Sequence, residues 1–215
     1  MIDVSKKKRI VLKLGTSTLT HKTGKLNIRR MTNLVRILSD LHNAGKELLM
    51  VSSGAVGMGV GKLNLAERPK DTPSKQAAAA VGQCELMHIY DDMFAKYNVT
   101  VAQILLTRAT LTNERLPHVQ NTIHRLLEMG VIPIINENDT VAIDELELEI
   151  GENDSLSATV AAAMGADLLI ILSDINGLYS ADPRTNSDAQ VIREVRKIDA
   201  SIEQMAGGAG SSLGS

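Results

Sequence analysis

Residues 11–17 read VLKLGTS, an apolar run that carries a lysine near its end and is followed by a glycine and two hydroxyl residues. An apolar run of this kind is typical of a buried strand, and a glycine followed by hydroxyls is typical of a turn from a strand into a helix. Lys13 has two interpretations at this place. It is either the charged end of an edge strand or an ammonium group presented beside an anion-binding turn.

Similar apolar runs recur along the chain, with helical patterns between them. The runs are 10–14, 47–51, 99–106, 131–135 and 167–172, and the helical patterns are 28–43, 74–96, 113–129 (with Asn113 as its predicted cap) and 154–164. This alternation predicts an α/β fold, a three-layer αβα sandwich with an open, mostly parallel sheet. Residues 140–150 alternate apolar and acidic side chains, which favours a solvent-facing hairpin and therefore a mixed sheet.

Composition excludes several classes of function. A net charge of −2, with one Phe and three Tyr, argues against a general nucleic-acid binder. The chain has no run of 18 apolar residues and no signal-peptide pattern at its start, so we expect no membrane span and a cytoplasmic location. The single cysteine excludes an internal disulfide, and the five histidines lack the spacing of metal ligands, so no metal site is predicted from them.

The residues that follow the predicted strands indicate where a ligand binds, because ligands of open α/β sheets lie beyond the carboxyl ends of the strands. These residues are Gly15-Thr16-Ser17, Ser52-Ser53-Gly54, Asn136-Glu137-Asn138-Asp139 and Ser173-Asp174, joined by Gly151-Glu152-Asn153-Asp154 at the start of a helix. Glycine-hydroxyl turns favour an anion, and acid-amide groups favour a cation. The pattern therefore predicts an anionic substrate that also carries an ammonium group.

Two common phosphate-binding motifs are absent. The segment GMGVGK at 57–62 would need glycine in place of Val56 and Ser or Thr in place of Leu63 to be a P-loop. The same glycines do not have the spacing of a dinucleotide-binding turn, so a nicotinamide enzyme is disfavoured.

Five segments together carry a resemblance to a known family. They are VLKLGTS (11–17), VSSGAVGMG (51–59), PIINENDTVA (133–142), GENDSLSATVA (151–161) and LSDINGLYSADPR (172–184). In this order they resemble the glutamate 5-kinases of the amino-acid kinase family. The resemblance implies ATP-dependent phosphorylation of the side-chain carboxylate of L-glutamate, the first step of proline biosynthesis, with Mg²⁺. It also implies a homo-oligomer inhibited by proline, with no nucleic-acid or membrane partner.

The resemblance also implies roles for individual residues. Lys13 and Asp154 would be catalytic, with Lys13 on the ATP phosphates and Asp154 orienting the lysine. Glutamate would be bound by Ser53, Gly54, Asp139 and Asn153, and ATP by Lys13, Gly15, Ser173, Asp174 and Ser215. From the residues alone, Ser52 and Ser53 are also good helix caps, and Asp154 is equally a helix N-cap.

The sequence departs from the family pattern at three places. Glu152 stands where the family more often has aspartate, and the stretch from Asp139 to Asn153 is about two residues longer, a length that a hairpin tip can absorb. The sequence ends at Ser215, inside the loop that in the family precedes a second lysine. We therefore expect residues 1–215 to form one amino-acid kinase domain, incomplete at its C-terminal end, without a second domain and with very weak or no kinase activity.

Two alternative functions remain open at this point. One is a kinase of the same fold that acts on another carboxylate, a carbamate or a nucleotide. The other is a non-catalytic regulator that keeps the fold and binds an amino acid such as proline.

Overall fold

A five-stranded parallel sheet forms the centre of the computed structural model, which describes residues 3–21, 25–141 and 153–206. Its strands are β1 (Arg9–Leu14), β2 (Glu47–Ser52), β3 (Thr100–Leu106), β4 (Val131–Glu137) and β5 (Leu168–Leu172). They lie in the order β3-β4-β2-β1-β5, and every neighbouring pair is parallel. All five predicted strands are confirmed. The predicted hairpin at 140–150 lies almost entirely outside the described residues, so a mixed sheet stays a prediction.

Helices alternate with the strands, as predicted. They are α1 (Thr16–Leu19), α2 (Ile28–Asn43), α3 (Ala55–Lys62), α4 (Thr72–Ala95), α5 (Leu116–Glu128), α6 (Asn153–Ala163) and α7 (Ala200–Ala206). Short 3-10 turns occur at Val4–Lys6 and Arg108–Leu111, and two short strands, β6 (Leu178–Tyr179) and β7 (Val191–Ile192), form an antiparallel pair.

Two helices begin a few residues away from the predicted position, and each has a proline in its first turn. Asn113 does not cap α5, which begins after Arg115 with a proline in its first turn. The helix predicted from residue 74 begins at Thr72, because Asp71 caps it by accepting from the Ser74 N–H, and again a proline lies in the first turn. Proline has no N–H to lose there and its fixed φ suits a first helical turn.

The helices cover both faces of the sheet, which confirms the three-layer sandwich. Alternate side chains of a strand point to opposite faces. Ile10, Leu12 and Leu14 of β1 therefore pack against α2 and α4, whereas Val11 packs against α5 and α6. The same alternation directs Lys13 to the face that carries α6.

Helices α3 and α4 lie unusually close together. A Cβ atom at Gly59 would overlap the carbonyl oxygen of Ala78, and a Cβ atom at Gly82 would overlap the carbonyl oxygen of Ala55. Gly59, which belongs to the segment that resembled a phosphate loop, and Gly82 of α4 thus allow two helix backbones to touch. This packing also explains why a helix as rich in glycine as α3 forms at all.

Within the ranges that the structure describes, no helix is both long and apolar enough to cross a membrane.

Candidate functional site

The carboxyl end of β1 presents Lys13 to the first turn of α6. Lys13 Nζ lies 2.8 Å from Asp154 Oδ1, and the lysine side chain is only 12% exposed. Asp154 is the second residue of α6 and so lies inside the first turn, which makes the helix N-cap interpretation wrong. The structure brings together the two residues predicted to be catalytic.

A second group of polar side chains lies beside this pair, at the carboxyl ends of β2 and β4. Asn153 Nδ2 donates to Ser53 Oγ at 2.7 Å, to the Ser52 carbonyl oxygen at 3.3 Å and to Asn136 Oδ1 at 3.2 Å. Ser53 and Asn153, both predicted to bind substrate, are therefore in direct contact.

The hydrogen bonds continue inward from Asn136. Its Nδ2 donates to Gln83 Oε1 at 2.9 Å, and Gln83 Nε2 donates to Gln103 Oε1 at 3.1 Å. We call Gln83, Asn136 and Asn153 the amide cluster. Its two inner members are buried, with Asn136 2% and Gln83 8% exposed.

Ser52 and Ser53 do not cap α3, although their residue type favours that role. The N-cap of α3 is Gly54, whose φ of 106° suits glycine, and no side chain caps the helix. Ser52 Oγ is 2.8 Å from Tyr90 OH in the core. Burial raises the pKa of Tyr90, so the phenol stays neutral and is a stable partner for that hydroxyl.

A cavity of about 750 Å³ lies on the other side of Asp154. Most of its lining comes from the segment after β5, including Ser173, Gly177, Tyr179 and Arg184. Ser173 Oγ donates to Asp174 Oδ1 at 3.1 Å, and Asp174 Oδ2 lies 2.9 Å from Arg184 Nη2. We call this cavity the loop pocket. Two of the residues predicted to bind ATP, Ser173 and Asp174, lie in or beside it.

Two other predicted residues, Gly15 and Asp139, lie outside the contacts described above, and a third, Ser215, is not among the described residues. Gly15 is buried between β1 and α1, and its carbonyl oxygen accepts from the Thr18 N–H at 3.0 Å. Asp139 lies in the turn that follows β4, three residues after Asn136, and is half-buried.

Reasoning from the sequence missed two residues of this region. Arg184 lies in the segment LSDINGLYSADPR, and a basic residue so close to Asp174 was the available signal. Nothing in the sequence marked Gln83, because it lies in an alanine-rich helix that comes close to the site only in the folded chain.

The described residues contain no group of three or more His, Cys, Asp and Glu side chains that could hold a metal ion.

Comparison of the sequence with known families gives a match over nearly the whole chain. The model of the amino acid kinase family matches residues 8–213. Curated glutamate 5-kinases from Clostridium perfringens and Clostridium tetani are 55% and 54% identical to this chain over 96% of its length, and the match covers 78% and 77% of those proteins. A curated glutamate 5-kinase from Listeria monocytogenes is 51% identical over 96% of the chain and is itself covered to 76%.

Solved structures show the same fold at low sequence identity. The UMP kinase of Ureaplasma parvum superposes with a TM-score of 0.61 at 15% identity, over 94% of this chain and 86% of that one. The UMP kinase of Bacillus anthracis gives 0.60 at 17% identity, over 93% and 83% of the two chains.

Proposed function

Because the chain belongs to the amino acid kinase family, we propose that it uses ATP to phosphorylate the side-chain carboxylate of L-glutamate, forming L-glutamyl 5-phosphate. The observation that carries the proposal is the 55% identity, over 96% of the chain, to a curated glutamate 5-kinase. The geometry supports it, because anion-binding turns, a largely buried lysine and an acid-amide group lie at one edge of the sheet. The product is the first intermediate on the route from glutamate to proline.

Glutamate binding requires partners for two carboxylates and one ammonium. The Ser53 hydroxyl and the Gly54 backbone N–H are suited to a carboxylate, and the Asp139 carboxylate is suited to the ammonium. The two hydrogens of Asn153 Nδ2 are already shared among three protein acceptors, so its Oδ1 is the atom that remains for substrate. Oδ1 is an acceptor and also suits the ammonium.

The transfer step needs little proton chemistry. A glutamate side chain has a pKa of about 4.3 and is already ionised at neutral pH, so no general base is required. One carboxylate oxygen attacks the γ-phosphorus, the bond from that phosphorus to the bridging oxygen breaks, and ADP leaves with the electron pair. Lys13 stabilises the negative charge on the transferring phosphoryl group. Asp154 Oδ1, 2.8 Å from Lys13 Nζ, holds the lysine side chain in place.

The nucleotide would occupy the loop pocket and reach Lys13 past Asp154. A volume of about 750 Å³ is within the usual range of small-molecule sites. Ser173 and Asp174 offer hydrogen-bonding groups at its rim, and the Gly15 turn offers backbone donors near the phosphates. The assignment of Ser215 to ATP stays a prediction.

Magnesium is expected with ATP, and no described residue is assigned to it. Its ligands would be phosphate oxygens and water, which is usual for this ion in phosphoryl transfer. Inhibition by proline, a homo-oligomeric state and a cytoplasmic location likewise stay predictions, as does the extent of the domain over residues 1–215.

A coupled assay of ADP formation tests the proposal, using the protein as its natural gene encodes it. The acceptors are L-glutamate, L-aspartate, N-acetyl-L-glutamate and UMP at equal concentrations. We expect ADP formation with glutamate and little with the other three. Preference for another acceptor would favour the alternative of a different kinase, and glutamate or proline binding without ADP formation would favour a regulator.

A further inference from the structure

The Asn153 side-chain amide has only one orientation that suits its neighbours. Its Nδ2 faces the Ser52 carbonyl oxygen at 3.3 Å and Ser53 Oγ at 2.7 Å. A backbone carbonyl can only accept a hydrogen bond, so the nitrogen and not the oxygen of Asn153 must lie on this side. Oδ1 is thereby directed to the opposite side, where it is buried and has no partner among the described residues.

This orientation imposes a direction on the rest of the amide cluster. Since Asn153 Nδ2 donates, Asn136 must turn its oxygen towards Asn153 and its own Nδ2 away. Gln83 Oε1 accepts from that nitrogen at 2.9 Å. Asn136 is 2% exposed, so water has little access to take over the role of acceptor.

Gln83 is held firmly in this place. It follows Gly82, whose Cα touches the backbone of α3 so closely that a methyl group would overlap Ala55. Helix α3 itself begins directly after Ser53 and Gly54. The contact between α3 and α4 therefore fixes Gln83 relative to the same strand end that carries Ser53.

From these contacts we infer that Gln83 is a positioning residue for glutamate. Its Oε1 holds the Asn136 amide with Oδ1 towards Asn153. That oxygen, together with Ser53 Oγ and the Ser52 carbonyl oxygen, holds Asn153 with its own Oδ1 directed at the substrate ammonium. This inference rests on the proposed function and adds a residue that need not touch the substrate. A buried acceptor without a donor is unfavourable, so a hydrogen bond from the substrate ammonium to Asn153 Oδ1 should contribute favourably to the free energy of binding.

The test compares three variants in the same coupled assay, again in the protein as its natural gene encodes it. Gln83→Met keeps the length of the side chain and removes its hydrogen bonds. Gln83→Glu keeps an oxygen that accepts from Asn136, whether or not the carboxyl group is protonated. Gln120→Met is the matched control, because Gln120 donates to the Ala163 carbonyl oxygen on the other face of the sheet and is similarly a glutamine with a partly buried hydrogen bond.

We expect Gln83→Met to raise the KM for glutamate about tenfold, the usual effect of one lost buried hydrogen bond, and to leave the KM for ATP and kcat nearly unchanged. Gln83→Glu should restore most of the affinity for glutamate. Gln120→Met should lower the melting temperature without changing either KM. If Gln83→Met does not fold, Gln83→Ala replaces it, with the same direction of change expected.

The inference is overturned if the methionine variant, or the alanine variant in its place, keeps the wild-type KM for glutamate. It is also overturned if the KM values for glutamate and ATP rise together, or if Gln83→Glu is as impaired as Gln83→Met, since those results describe a general loss of structure. A wild-type protein that forms no ADP with glutamate would instead contradict the proposed function, and the positioning role would fall with it.

Discussion

The amide cluster and the loop pocket lie on opposite sides of Asp154 and are built in different ways. The amide cluster joins residues from α4, β4 and α6, and its inner members are buried. The loop pocket is lined mostly by one segment, 171–184, and the side chains of Ser173, Asp174 and Arg184 at its rim are exposed. A buried network keeps its geometry without a ligand, whereas exposed side chains acquire theirs with the ligand. The acceptor site should therefore be largely preformed before the substrate binds, whereas the nucleotide site should become ordered on binding.

The largest effect is expected where the two regions meet. Lys13→Ala should lower kcat by about a hundredfold to a thousandfold, because charge on the transferring group is greatest in the transition state. The KM for glutamate should change much less, since the amide cluster does not depend on Lys13. Steady-state kinetics measure both values. A variant with near-normal turnover would return Lys13 to the role of a structural charge at the end of a strand.

Asp139→Ala should affect only the side of the site that binds the acceptor. We expect the transition-state stabilisation that kcat/KM for glutamate measures to fall by at least about 2 kcal/mol, because the variant leaves the substrate ammonium without its charged partner. The KM for ATP should stay within a few-fold of the wild-type value. If the KM for ATP rose as much as that for glutamate, the division between the two regions would be wrong at the turn after β4.

Gly82→Ala tests whether the packing of α3 on α4 supports the amide cluster. The added methyl group would overlap the Ala55 carbonyl oxygen, so we expect unfolding to become easier by about 2–3 kcal/mol and the KM for glutamate to rise. Gly61→Ala is the matched control in α3, because its Cβ would have no neighbour within 4 Å. The control should be neutral or stabilising by up to about 1 kcal/mol. Equal melting temperatures for the two variants would contradict this account of the helix contact.

The smallest effect is expected at the amino-terminal edge of the sheet, far from both regions. The Asp167 carboxylate accepts from the backbone N–H groups of Arg9 and Lys8, which holds the pKa of that carboxyl below its ordinary value. A lowered pKa stabilises the fold at neutral pH, and this stabilisation is lost as the pH falls through the folded-state pKa. Asp167→Asn should therefore slightly lower the melting temperature at pH 7, by less at pH 3, with unchanged kinetics. A larger drop in melting temperature at pH 3 than at pH 7 would contradict a stabilising role for the ionised Asp167 carboxylate.

How far the sequence predicted the site also differs between the two regions. Strands, most helices and the polar residues at strand ends and helix starts follow from local patterns. The family resemblance then singled out Lys13, Ser53, Asn153 and Asp154 among them. Helix α3 was not predicted, because three glycines disfavour a helix and its close contact with α4 is visible only in the structure. Gln83 could not be predicted, since its role depends on a contact with Asn136, 53 residues away.

Separate binding of the two substrates is the most direct test of the central claim, that the acceptor binds beside the amide cluster and the nucleotide binds in the loop pocket. Titration calorimetry with L-glutamate, and with a non-hydrolysable ATP analogue, would be carried out on Asn153→Ala and Arg184→Ala. We predict that Asn153→Ala loses affinity for glutamate and retains the nucleotide, whereas Arg184→Ala weakens nucleotide binding and retains glutamate. Loss of both ligands in either variant, or the opposite pairing of losses, would contradict the account.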